Sequence, residues 1–116
     1  MEHTMKGLAA IVALGAVALS ATGARAGDTC LQGFVWREAS SIDHVCVTPQ
    51  TRTETRADNA TALSRVNPNG GAFGRFTCLQ GFVWREAFNG DTVCVTPEAR
   101  AAAAADNAQA ARRVAP

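Results

Sequence analysis

Apolar and polar positions fall into the same order twice along this chain. A stretch of mixed apolar and aromatic residues, Leu31-Gln32-Gly33-Phe34-Val35-Trp36-Arg37-Glu38-Ala39, is followed by a short polar interruption ending at Asp43 and then by a β-branched run, Val45-Cys46-Val47-Thr48. The pattern recurs 48 residues later from Leu79 to Thr96. Two strand-like runs around a short polar break predict a β-hairpin, and Asn89-Gly90 in the second break is a strong turn signal. Alternation places Phe34, Trp36 and Glu38 on one face of the first strand and Val35, Arg37 and Ala39 on the other, and likewise Phe82, Trp84 and Glu86.

After each hairpin the period changes. Thr48-Pro49 and Thr96-Pro97 combine a hydroxyl suited to capping with a proline suited to the first helical turn. The second copy continues as the helix-forming run Ala101 to Ala105, with Glu98 in its first turn, and helices are predicted over 49–66 and 97–114. The fold class read from this order is α+β, two tandem ββα units. Their expected bounds are 27–68 (hairpin 31–48, helix 49–66) and 78–116 (hairpin 79–96, helix 97–114), joined by a Gly-rich linker over 69–77.

The duplication has no insertion or deletion, which marks each copy as one structural unit. The hairpin segment from Cys30 to Pro49 matches its copy at 16 of 20 positions, the following segment at 9 of 19. Among the helical positions kept identical, Arg52, Asp58, Asn59, Ala62, Arg65 and Val66 lie within an arc of about 140° on a 100° wheel. That face is expected to dock on the hairpin, with small residues at 51/99 and 55/103 allowing close approach. Asp58-Asn59 and Asp106-Asn107 are poor helix-interior residues. The expectation is that each Asp pairs with a hairpin guanidinium, Arg37 or Arg85, and each Asn satisfies a hairpin backbone group.

The N-terminus changes the picture of where the protein works. An apolar run over 7–21 follows Lys6 and leads to Ala24-Arg25-Ala26, the pattern of a secretory signal peptide over 1–26 with cleavage expected after Ala26. The run is short of the roughly 20 residues a bilayer span needs, so no stable membrane insertion is expected after cleavage. The expected location is exported, periplasmic or extracellular.

Four cysteines, at equivalent places in both copies, then read as disulfides. Of the three connectivities, Cys30 with Cys46 and Cys78 with Cys94 makes each copy self-sufficient. Each bridge contributes about 3 kcal/mol by loop entropy, help that a unit of this size needs. Zinc fits poorly because His44 becomes Thr92 in the second copy.

Residues 27–116 hold nine Arg, no Lys and nine Asp plus Glu, a neutral balance that argues against nucleic acid as a partner. No calcium-loop, phosphate-loop or dinucleotide pattern is present, and no cofactor is expected. Glu38 with Asp43 and Glu86 with Asp91 form repeated carboxylate pairs of the kind glycoside cleavage uses, but adjacent arginines and turn geometry account for them, and the chain is read as not an enzyme. The residues singled out for binding are Trp36, Arg37, Glu38, Trp84, Arg85 and Glu86, since an indole on a hairpin can stack on a sugar face, a proline or a cation.

The string C-x-x-G-F-V-W-R-E-A-x-x-x-D-x-V-C-V-T-P, with a following Arg and Asp-Asn, resembles a repeat of small exported bacterial proteins, over 30–66 and 78–114. The resemblance implies an exported repeat module and brings no assigned activity, ligand or cofactor. The expected function is a non-catalytic binding or envelope-associated module whose partner is an envelope component, a glycan or a protein. The alternative is a structural, self-assembling secreted protein; a secreted hydrolase or enzyme inhibitor stands last.

Overall fold

The computed structural model describes residues 28–116. The expected signal peptide over 1–26 and its cleavage site lie outside the described residues.

Each copy forms an antiparallel hairpin followed by a helix. In the first, β1 (Val35–Trp36) pairs with β2 (Cys46–Val47), with Val35 opposite Val47 and Trp36 opposite Cys46. Helix α1 (Pro49–Thr61) follows. In the second, β3 (Val83–Trp84) pairs with β4 (Cys94–Val95) in the same register and α2 (Pro97–Gln109) follows. The chain is thus α+β, two tandem ββα units. The disulfides join Cys30 to Cys46 and Cys78 to Cys94.

The regular ladders are shorter than the hydrophobic pattern suggests, and the reason is local. Glu38 and Glu86 adopt φ of 58° and 54°, a left-handed conformation that turns the strand away from its partner after Arg37 and Arg85. Pairing continues only through single bonds, such as the Glu38 N–H to the Asp43 carbonyl at 3.2 Å.

The helices start where the sequence indicates. The Thr48 hydroxyl accepts from the Thr51 N–H and the Thr96 hydroxyl from the Ala99 N–H, each with proline in the first turn. Both α-helices end earlier than expected. Residues Ala62–Arg65 and Ala110–Arg113 wind on as 3-10 turns, and that tighter path swings Arg65 and Arg113 across to the other unit.

The crossing is reciprocal. Val66 bridges Cys78, and Val114 bridges Cys30, both antiparallel. The tail of the first helix therefore pairs with the start of the second unit, and the tail of the second helix returns to pair with the start of the first. The Leu79 N–H reaches the Arg65 carbonyl and the Leu31 N–H the Arg113 carbonyl, both at 2.8 Å. The disulfide argument takes each copy to be self-sufficient; the structure corrects this, since each copy completes the other.

The interior is correspondingly unusual. Its buried apolar residues are small, chiefly Ala39, Ala87, Ala103, Val47 and Val95 beside the half-cystines Cys46 and Cys94. Thr55 and Ala103, the equivalent small helix positions, are both buried. Between them sit two guanidiniums. A core this thin in large side chains depends on polar pairing and disulfides. The expected linker takes part in the fold: its residues Gly74–Phe76 form a 3-10 turn, and the Asn67 N–H bonds the Thr77 carbonyl at 2.8 Å to close the connector on itself. Among the described residues no helix is long and apolar enough to cross a membrane.

Candidate functional site

The strand alternation decides which expected site residues reach the surface. Arg37 and Arg85 lie on the interior face and are 2% and 3% exposed. Arg37 donates from Nε to Asp43 Oδ2 at 2.7 Å and from Nη2 to Oδ1 at 3.1 Å, a bidentate pair. Its Nη1 donates to Asn107 Oδ1 at 3.0 Å and its Nη2 also to the Ala87 carbonyl at 3.3 Å, both in the other unit. Arg85 repeats the arrangement with Asp91 and with Asn59 of the first unit. These guanidiniums are structural, which corrects their assignment to a contact edge.

The Asp-Asn doublets are corrected in part. Asn59 Nδ2 donates to the Ala39 carbonyl and Asn107 Nδ2 to the Ala87 carbonyl, so the asparagines do satisfy hairpin backbone groups. The aspartates do not pair with Arg37 or Arg85. Asp58 accepts from Arg65 at 3.1 Å and Asp106 from Arg113 at 2.9 Å. Those arginines reach across the unit boundary to the Cys94 and Cys46 carbonyls and lie over the Phe82 and Phe34 rings at 4.8 and 4.9 Å. The kept helical face docks on its own hairpin at one end and on the neighbouring unit at the other.

Asp43 shows what this pairing does electrostatically. Burial alone would raise its carboxyl, but the Arg37 guanidinium and the Ala39 and Val45 N–H groups outweigh burial and hold it below the ordinary carboxylate value. With both oxygens engaged as acceptors, Asp43 has no free lone pair aimed at solvent and is poorly placed for acid-base work beside Glu38.

What remains on the surface is a smaller edge built twice. Trp36 and Trp84 are part-exposed, and each spends its only donor internally, Trp36 Nε1 on the Asp28 carbonyl at 2.6 Å and Trp84 Nε1 on the Phe76 carbonyl at 2.8 Å. The rings are fixed by these bonds and offer π surface alone. Beside them Glu38 and Glu86 project with side chains 47% and 59% exposed, 3.8 Å from Arg52 and 3.6 Å from Arg100. Arg52 and Arg100 are site residues that the sequence reading kept as part of the helical face without assigning them to the edge; their identity in both copies was the available signal. Equivalent grooves form here, one between Phe34, Val35, Trp36 and Arg52 with a volume of about 360 Å³, the other between Phe82, Val83, Trp84, Glu86 and Arg100 with about 350 Å³.

The copies differ beside the indole. His44 stacks on Trp36 with centroids 3.8 Å apart and planes 13° apart, and its Nδ1 lies 3.5 Å from Asp28. Trp84 has Thr92 in the equivalent place and instead meets Phe73 of the connector, tilted at 60° with centroids 5.8 Å apart. Among the described residues no cluster of three or more His, Cys, Asp or Glu forms a metal site. No protein-family model, no curated protein and no solved structure matches the chain.

Proposed function

We propose that this chain is an exported, non-catalytic binding module working in the periplasm or the extracellular space, and that its contact edge is Trp36, Glu38 and Arg52 with the copy Trp84, Glu86 and Arg100. The disulfides support an oxidising compartment. One observation carries the binding reading. Glu38 and Glu86 occupy left-handed backbone positions where glycine or asparagine avoids a penalty of about 1–2 kcal/mol, yet both copies retain glutamate, with its carboxylate largely in water. A surface ion pair with Arg52 or Arg100 returns little stability, so the retention of this side chain at a strained, exposed position points to what it contacts outside the protein. The flanking indole, fixed but part-exposed, supplies apolar area next to that charge.

The test is retention of the disulfide-bonded protein on cell-wall sacculi, polysaccharides and envelope extract, compared with a Trp36→Ala, Trp84→Ala double variant whose fold is verified by its amide spectrum. Retention by the native protein and its loss by at least tenfold in the variant is expected. Equal retention by both forms would remove the Trp edge as the site. A second reading, assembly through exposed apolar side chains, draws on Ile42, Leu63 and Phe73, which are 83%, 87% and 71% exposed. Sedimentation over a range of concentrations separates the two, since assembly makes the sedimenting mass grow with concentration.

A further inference from the structure

The two indoles are presented differently, and the His44-to-Thr92 difference lies directly beside them. In the first unit the imidazole of His44 lies flat on Trp36 at 3.8 Å. The groove beside that hairpin turn, bounded by Ser40, Ile42, His44 and Phe88, has His44 in its wall and not Trp36. In the second unit Thr92 presents only a methyl and a hydroxyl. There a groove of about 500 Å³ has Trp84 itself in its wall, together with Glu86, Phe88, Asn89, Thr92 and Asn107. The indole that the first unit covers with its own ring borders this groove in the second, where Phe73 meets Trp84 only in a tilted contact at 5.8 Å.

From this we infer that the second unit is the binding-competent copy of the module, that its Trp84–Thr92 groove takes a planar aromatic side chain from a partner polypeptide, and that His44 occupies the equivalent place in the first unit as a built-in ligand. The inference rests on the Trp-edge reading above and refines it. His44 supplies the template: a flat ring, nearly parallel to an indole and in close stacking contact with it. The template also has an acidic partner, Asp28, which stands where the second unit has Phe76. The open site lacks that acid, and the two carboxylates in its wall already face arginines, Glu86 with Arg100 at 3.6 Å and Asp91 with Arg85 at 2.7 Å, so an uncharged ring suits it better than a cationic one. The Phe88 side chain, 38% exposed, gives a second apolar wall. The Asn89 and Thr92 side chains, which make no hydrogen bond among the described residues, leave polar atoms at the rim for the partner's backbone.

The protein contains two tryptophans and no tyrosine, so the two indole N–H resonances of the full chain report the two sites separately, and N-acetyl-tyrosinamide is a distinguishable probe. Titration to roughly millimolar concentration, the affinity range of a single ring contact, is expected to shift the Trp84 resonance and leave Trp36 in place. Thr92→His should reduce the Trp84 response at least fivefold, and His44→Thr should make Trp36 respond as well, doubling the number of sites. N-acetyl-alaninamide and cellotetraose serve as the controls. Equal shifts of both resonances in the native chain, no shift of either, or a response confined to cellotetraose would each overturn the proposal. The retention experiment on envelope material is independent of these outcomes: retention lost with the indoles, beside a silent titration, would leave the binding module standing and remove the aromatic ligand.

Discussion

At the scale of single residues, the side chain that governs this protein is the buried guanidinium. Arg37 has a carboxylate six residues away, an asparagine from the other unit and a backbone carbonyl on its donors, so its charge is neutralised and its geometry fixed. Breaking such a pair leaves an uncompensated buried charge at about 3–5 kcal/mol. Asp43→Asn is accordingly expected to lower unfolding free energy in urea by about 3 kcal/mol at neutral pH. The pH dependence has a definite sign. Because the folded Asp43 carboxyl sits below its ordinary value, its contribution is complete above about pH 4 and is lost as pH falls through the lowered value. The difference between native protein and variant should therefore shrink in acid, and a gap that stays constant from pH 7 down to about 2 would contradict the pairing.

Arg37 also shows the limit of residue-level reading. Strand alternation by itself places Arg37 and Ala39 opposite Trp36 and Glu38, and the structure follows the alternation. Charge suggested a surface role instead. The partners that make burial tolerable are a turn aspartate and an Asn107 side chain 70 positions away in sequence, and pairings across that distance leave no periodic trace.

At the scale of elements, the caps and the hairpin order are encoded within a few residues of where they act and the disulfides, at a separation of 16, within one copy of the repeat, and so they were legible. The early end of each α-helix was not. Neither Ala62-Leu63-Ser64-Arg65 nor Ala110-Ala111-Arg112-Arg113 contains a stop signal, and the change to a 3-10 turn follows from where Arg65 and Arg113 must reach. The asparagine inside each helix makes sense at this scale as well. Asn59 lowers helix propensity by about half a kcal/mol relative to alanine, but its amide bridges its own hairpin and the guanidinium of the other. Asn59→Ala removes both bonds and should destabilise the protein by about 1–2 kcal/mol net, measured as a shift of the denaturation midpoint. A gain in stability would show that propensity outweighs the bridge.

At the scale of the molecule, the units share one interior through exchanged tails, paired asparagines and the guanidiniums stacked over Phe34 and Phe82. Unfolding should be a single cooperative transition. Arg113→Ala, though it lies in the second unit, should lower the midpoint reported by the Trp36 and Trp84 resonances by the same amount. Separate midpoints for the two indoles would instead describe two independent domains. The binding edge depends on this sharing, since the hairpin that presents each indole is closed by the other unit's arginine.

The return of the second tail to the first strand has a further meaning. Cys30 faces Val114 across the same kind of bridge that Val66 makes to Cys78, and the Ala115 N–H bonds the Thr29 carbonyl as the Asn67 N–H bonds the Thr77 carbonyl. The connector between the units is thus a covalent version of a junction that also forms without one. Nothing in the pairing distinguishes which unit comes first, so the linear order of the gene is a choice imposed on a fold that is cyclic in its contacts. A lone unit meeting its twin would find both junctions available, and the present chain reads as that dimer written onto one polypeptide, with freedom for one half to change while the other keeps the shape.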